Sequence, residues 1–157
     1  MDIKQIDQLN REKIDAFILR QWFSMQMVVR GESIDLSTAD GYYAMEDDEI
    51  IGLITYRVSD NEMEILSLDS LRENKGIGTA LLDKATLKAV EIGCTTITLI
   101  TTNDNLSALR FYQKRGFDMV GVYRNALEQS RKIKPEIPLF GENGIPLKHE
   151  IKLEMSL

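Results

Sequence analysis

The stretch EMEILSLDSLRENKGIGTALLDKATLKAVEIGCTTITLITT, residues 62–102, decides the fold. It opens on EMEILSL (62–68), an apolar run that follows the turn residues SDN and reads as a strand. Two glycines two positions apart, Gly76 and Gly78, then break the chain. From Ile77 to Ile92, apolar residues recur at helical spacing: Ile77, Leu81, Leu82, Ala85, Ala89 and Ile92. TTITLITT (95–102) is β-branched almost throughout and alternates Ile97 and Leu99 against threonines, as a strand does. Strand, glycine turn, helix and strand make a unit whose helix start presents backbone amides without intrahelical acceptors.

Upstream, NREKIDAFILRQWF (10–23) reads as a helix with Ile14, Phe17, Ile18 and Trp22 toward a core. GESIDLSTADG (31–41) reads as a loop with at most a short turn. YYAME (42–46) and EIIGLITYRV (49–58), separated by acidic turn residues, form a hairpin in outline. Downstream, NLSALRFYQKRG is a second helix that begins near Asn105 and stops at Gly116, and FDMVGVY and LKHEIKLEM complete the strands. Antiparallel strands followed by strand–helix–strand–helix–strand predict an α/β fold with a mixed sheet. Residues 124–147 join a short helical candidate to three prolines and two glycines, a connection long enough to suggest a functional role.

Length and composition narrow the classes. A chain of 157 residues, with no repeat or low-complexity tract, is expected to be one domain, 1–157. Its 25 acidic and 19 basic residues give a formal charge of −6, and no long basic tract offsets it, so nucleic acid is not the expected partner. No stretch approaches the roughly 20 apolar residues of a membrane span. The N-terminus is too polar for a secretory signal, and Cys94 is the single cysteine, which together lead to a cytoplasmic expectation. One histidine, His149, without clustered cysteines predicts no metal site. Cys94 reads as a buried thiol. Trp22, Phe23, Met25 and Met27 either wall an acceptor pocket or, on the preferred reading, pack the first helix.

Two motifs carry the functional reading. Gly76 supplies backbone angles closed to other residues, and Gly78 removes a side chain where a ligand would press on the helix. Arg72 and Lys75 add positive charge, and Thr79 a hydroxyl, at an N-terminus suited to a phosphate. The pattern is neither a P-loop nor a dinucleotide fingerprint, whose third glycine is replaced by Leu81. In the second helix Asn105, Ala108 and Tyr112 lie three and four residues apart on one face. That face is polar, then small, then hydroxylated, so either a thin ligand lies along it or it is an ordinary cap and half-buried ring.

ENKGIGTALL and TTNDNLSALRFYQKRGF together resemble the Gcn5-related N-acetyltransferases (GNAT), over about residues 2–123 in element order. The resemblance implies a mixed, mostly antiparallel twisted β-sheet flanked by helices. It implies acetyl-coenzyme A as cosubstrate and an amine acceptor, its pyrophosphate at Arg72, Lys75, Gly76, Ile77, Gly78 and Thr79. Further contacts are implied along Leu66, Leu68, Asn105, Ala108 and Tyr112. Tyr112 resembles the family's proton donor to the leaving sulfur, and Glu62 matches a position that some members fill with a catalytic glutamate. Glu64, two residues on, is the other base candidate; both read equally as a solvated strand end. Glu73 and Asn74 depart from the family's loop, where Arg or Gln and Gly are usual, and leave room for a non-catalytic coenzyme-binding module as the alternative. The tail SRKIKPEIPLFGENGIPLKHEIKLEM resembles a bacterial subgroup without assigned acceptors, and the 124–147 segment is a candidate cover for an acceptor cleft or a homodimer partner.

Overall fold

The structure is a computed structural model that describes residues 1–72 and 75–157. Glu73 and Asn74, the two departures from the family loop, lie outside the described residues. The chain forms two compact units: unit 1 comprises Met1–Met25, Asp35–Ile97 and Leu157, and unit 2 comprises Gln26–Ile34 and Thr98–Ser156.

Unit 1 is built on antiparallel strands in the order β1-β4-β5-β6: β1 (Asp2–Gln5), β4 (Asp40–Glu46), β5 (Glu49–Ser59) and β6 (Glu62–Ser70). The β4–β5 and β5–β6 hairpins close on the pairs Asp47–Asp48 and Asp60–Asn61, all four at positive φ. Two left-handed residues match the strand twist, and Asp and Asn tolerate that conformation better than other side chains. Helix α1 (Arg11–Trp22) buries Ile14, Phe17 and Ile18. Helix α2 (Ile77–Glu91) buries Ile77, Leu81, Leu82, Ala85 and Ala89. Two expectations change here. Trp22 stands 42% exposed, because it lies at the last turn of α1, beyond the apolar stripe. Ile92 is the C-cap of α2 and 45% exposed, outside the helix's buried face.

Strand β7 (Thr96–Thr102) begins in unit 1 and continues into unit 2, where the order is β7-β9-β8, with β8 (Asp118–Tyr123) antiparallel to β9 (Glu150–Ser156). Unit 2 also holds α3 (Leu106–Lys114), α4 (Ala126–Ile133) and a turn of 3-10 helix at Glu142–Gly144. The segment read as a loop carries instead the end of a second, two-stranded sheet, β2 (Gln26–Val29) with β3 (Glu32–Asp35), followed by the 3-10 turn Leu36–Thr38. Its connection is Arg30–Gly31, again two residues at positive φ. The sheet expected from the sequence, mixed, mostly antiparallel and flanked by helices, is the observed fold class.

Candidate functional site

In unit 1, β6 delivers the chain to the glycine turn. Leu71 N–H donates to the Ile51 carbonyl at 2.9 Å, and Ser70 Oγ to the Arg72 carbonyl at 3.1 Å, which fixes the exit of the strand. Gly76 caps α2 at φ 72°, with no side-chain cap, and its carbonyl accepts from Ala80 N–H at 2.9 Å. Among the described residues a Cβ on Gly76 would meet nothing within 4 Å, so this turn is glycine for its backbone angle. The first-turn amides of α2, those of Ile77 and Gly78 included, have no intrahelical acceptor. Lys75 is exposed, while Gly78 and Thr79 are half-buried. Arg72 forms an ion pair with Glu46 on β4, which shares its guanidinium charge with a carboxylate. A left-handed glycine corner at a helix start fits an anionic ligand.

Gly52 on β5 locates that helix start. A Cβ there would stand 2.6 Å from Ile77 Cγ2 and 3.0 Å from Leu81 Cδ1, so the missing side chain lets the first turn of α2 rest on the sheet. A lone glycine within EIIGLITY was the available signal, since glycine inside a strand marks close approach of another element.

The β5–β6 register decides where the carboxylates point. Thr55 pairs with Ser67, but the next pair is Tyr56 with Ile65, so Leu66 is an extra residue in β6. The expected single face Glu62–Glu64–Leu66–Leu68 is therefore broken. Leu68, opposite Ile54, shares the Gly52 face that α2 packs on. Glu62 and Glu64 share the other face with Ser67 and Asp69. Leu66 is buried and Leu68 half-buried. On the carboxylate face, Ser67 and Thr55 hydroxyls bond at 2.6 Å in full burial. Glu64 accepts from Arg57 Nε at 2.7 Å, whereas Glu62 begins the strand and is half-buried. Asp69 Oδ2 accepts from the Trp22 indole Nε1 at 3.0 Å, and burial raises its carboxyl above the ordinary range, only partly offset by that bond.

Unit 2 carries the second motif. Asn105 Oδ1 accepts from Ala108 N–H at 3.2 Å, so Asn105 is the N-cap of α3. Ala108 is half-buried one turn on. Tyr112 is buried, edge-on to Phe111 at 5.1 Å and to Phe117 at 5.3 Å between ring centroids. The two residues before the cap hold the 134–149 segment. Asp104 accepts from Glu142 N–H at 2.9 Å and also from the Thr102 hydroxyl. Asn103 Oδ1 accepts from the N–H groups of Lys148 and His149 at 3.0 and 2.9 Å, and its Nδ2 donates to the Pro146 carbonyl at 2.9 Å. Arg131 on α4 donates to the carbonyls of Pro138 and Leu147, both at 2.6 Å. The connection that looked structureless is thus pinned at both ends. Sequence reasoning missed these holders, although the dipeptide Asn103–Asp104 before a capped helix was the sign. His149 Nδ1 accepts from Asn125 N–H at 2.9 Å, and Cys94 is a buried free thiol.

With this geometry in place, the comparisons with known proteins agree. The sequence model of the Acetyltransferase (GNAT) family matches residues 7–117. A Bacillus subtilis (strain 168) protein, the uncharacterized YxbD, is 46% identical over 100% of this chain and 99% of its own length. Among solved structures, the IAA acetyltransferase from Bacillus cereus ATCC 14579 superposes with a TM-score of 0.75 at 25% identity, covering 99% of both chains. A GNAT family acetyltransferase from Elizabethkingia anophelis, with acetyl-CoA bound in its crystal, gives 0.71 at 23% identity over 99% of this chain and 97% of that one.

Proposed function

This chain belongs to the Acetyltransferase (GNAT) family, and on that premise we propose that it transfers acetyl from acetyl-coenzyme A to a primary amine of a small molecule or peptide. The observation that supports this reading is the glycine corner at Gly76, φ 72°, at the start of a helix seated against Gly52. The amides of Ile77 and Gly78 would take the pyrophosphate, with Lys75 as the nearby cation. The main chain around the extra residue Leu66 and along Leu68 would receive the pantetheine arm, and Asn105 and Ala108 are the further coenzyme contacts that the family resemblance implies.

When bound, acetyl-coenzyme A supplies a thioester carbonyl and a thiol leaving group. A lysine-like acceptor with pKa of about 10.4 must be made neutral first, which costs about 4 to 5 kcal/mol at pH 7. Glu62 and Glu64 are the carboxylates assigned to that proton, directly or through water. Glu64 already accepts a hydrogen bond from Arg57, which leaves Glu62 the less encumbered of the two. The Tyr112 hydroxyl is assigned to protonate the departing sulfur. A thiol with pKa of roughly 8.5 leaves tolerably unaided, so this donor matters less than the base.

Calorimetric titration with acetyl-coenzyme A tests the reading. Saturable micromolar binding, strongly weakened by Gly78→Leu, is the expected result. Absence of binding at millimolar coenzyme overturns it. If coenzyme binds but no amine in a broad panel releases free thiol, the chain is a coenzyme-binding module, the reading that Glu73 and Asn74 favour.

A further inference from the structure

Three features meet at the C-terminal end of α1 in unit 1. The first is Asp69, a half-buried carboxylate on the same β6 face as Glu62 and Glu64. Among the described residues its side chain bonds to the Trp22 indole, and no basic side chain pairs with it. An anion withdrawn from water without a counter-ion is unfavourable unless a cation arrives. The second is Trp22 itself, which spends its only N–H on that carboxylate and keeps 42% of its surface exposed. The third is Phe23, which ends the helix at φ 59°, a left-handed conformation that costs a non-glycine residue free energy. Its N–H donates to the Leu19 carbonyl at 2.9 Å, and its ring is 88% exposed. A solvent-facing phenylalanine next to an exposed indole contributes nothing to the core.

We propose that Asp69, Trp22 and Phe23 form the acceptor-recognition site, which takes an ammonium group carried on a short apolar or aromatic stem. This deepens the acetyltransferase reading and rests on it. The Asp69 carboxylate is the ammonium's counter-ion, and the indole that bonds it holds the carboxylate in place while its face attracts the same cation. Phe23 offers apolar area to the stem. The chemistry distinguishes this acceptor from a polycation, for which one carboxylate beside two aromatic rings is a poor match. Asp69 lies five residues along β6 from Glu64, about 15 Å, so the ammonium it holds is a second cationic group of the acceptor and not the amine whose proton is assigned to Glu62 or Glu64.

Trp22 is the single tryptophan of the chain, so its emission reports ligand binding at this site without turnover. The probe is 2-phenylethylamine, with 2-phenylethanol as the uncharged molecule of the same stem. The expected result is a saturable change in emission with the amine and binding about tenfold weaker, or worse, with the alcohol. Asp69→Asn should reduce amine binding to the level of the alcohol. Phe23→Gly suits the positive φ, so it should keep the fold and weaken both probes alike. The proposal is overturned if the amine gives no saturable change at millimolar concentration, or if the alcohol binds as well as the amine. It is equally overturned if folded Asp69→Asn or Phe23→Gly protein binds the amine like the parent. Should Asp69→Asn not fold, the amine–alcohol comparison on the parent decides. Coenzyme calorimetry and thiol release on the same sample read the Gly76 corner independently, so a failure confined to the amine probe leaves the acetyltransferase reading standing.

Discussion

The first residue of α2, Ile77, rests where the side chain of Gly52 would be: its Cγ2 lies 2.6 Å from the position of a Cβ on that glycine. The helix start that offers its amides is therefore placed by an absent side chain on the neighbouring strand. Gly52→Ala has Ile77 and Leu81 on one side and the Asp69 carbonyl, 3.1 Å from the new carbon, on the other. We expect a stability loss of about 1–3 kcal/mol and coenzyme affinity lowered about tenfold. Urea unfolding and calorimetry, run on the same variant, check the two together; an unchanged affinity would mean that the helix start does not set the coenzyme site.

Gly76 gives a complementary case, because there a Cβ meets none of the described residues and the backbone angle is what is demanding. Gly76→Ala should cost about 1 kcal/mol through its left-handed φ, and Gly76→Asn less, since Asn tolerates that region. Coenzyme affinity should follow the same order, Gly above Asn above Ala. A reversal would show that the side chain, not the turn's geometry, controls binding.

Tyr112→Phe tests the assigned proton donor without disturbing its packing against Phe111 and Phe117, which involves the ring and not the hydroxyl. The kcat should fall about 10- to 100-fold, with coenzyme affinity nearly unchanged. The deficit should shrink for an acyl donor whose thiol has a lower pKa, because a better leaving group needs less help. Steady-state rates with two such donors provide the check.

How much of this was legible follows from where the determinants lie. The stripe Ile77, Leu81, Leu82, Ala85, Ala89 announces α2 because each residue meets the core at helical spacing. Trp22 obeys the same spacing but misleads, since periodicity gives a direction and not the distance to the core's edge. β1 and the β2–β3 hairpin are four-residue strands, too short for alternation to register, and the turn Arg30–Gly31 lacks the usual Asn or Asp. The extra residue at Leu66 arises from pairing with β5, so no local pattern reveals it, and it is what moves Leu68 off the face of Glu62 and Glu64. The same shift brings Asp69 onto that face, which is why the sequence pointed to two carboxylates and the structure adds a third.

The 134–149 segment invites a test of packing. A Cβ on Gly141 would stand 2.0 Å from Asp104 Oδ2 and 2.5 Å from its Cγ, and Asp104 is buried and bonded to Glu142 N–H and Thr102. That side chain has little freedom to move aside. Gly141→Ala should destabilise by about 2–4 kcal/mol. Hydrogen exchange at the Glu142 amide should accelerate in the variant and also in Asp104→Ala, and unchanged protection in both would remove Asp104 as the holder of the segment.

Glu150 on β9 is a buried carboxylate that accepts from Arg30 N–H at 2.9 Å, while the Arg30 guanidinium lies over the Tyr123 ring at 4.4 Å. Burial raises its pKa above the ordinary 4.5, against the smaller opposing effects of the Arg30 amide and charge. Because the folded state then holds the proton more tightly than the unfolded chain, stability is greatest with the group protonated. It falls as pH rises from the unfolded value through the raised folded one. Glu150→Gln keeps an oxygen to accept from Arg30 and carries no charge to desolvate. Relative to the parent, this variant should therefore gain stability as pH rises from acid to neutral. Denaturant unfolding across that range measures the difference. A difference that stays flat, or that grows toward acid pH, would mean that the Arg30 turn stabilises the charged carboxylate more than burial penalises it.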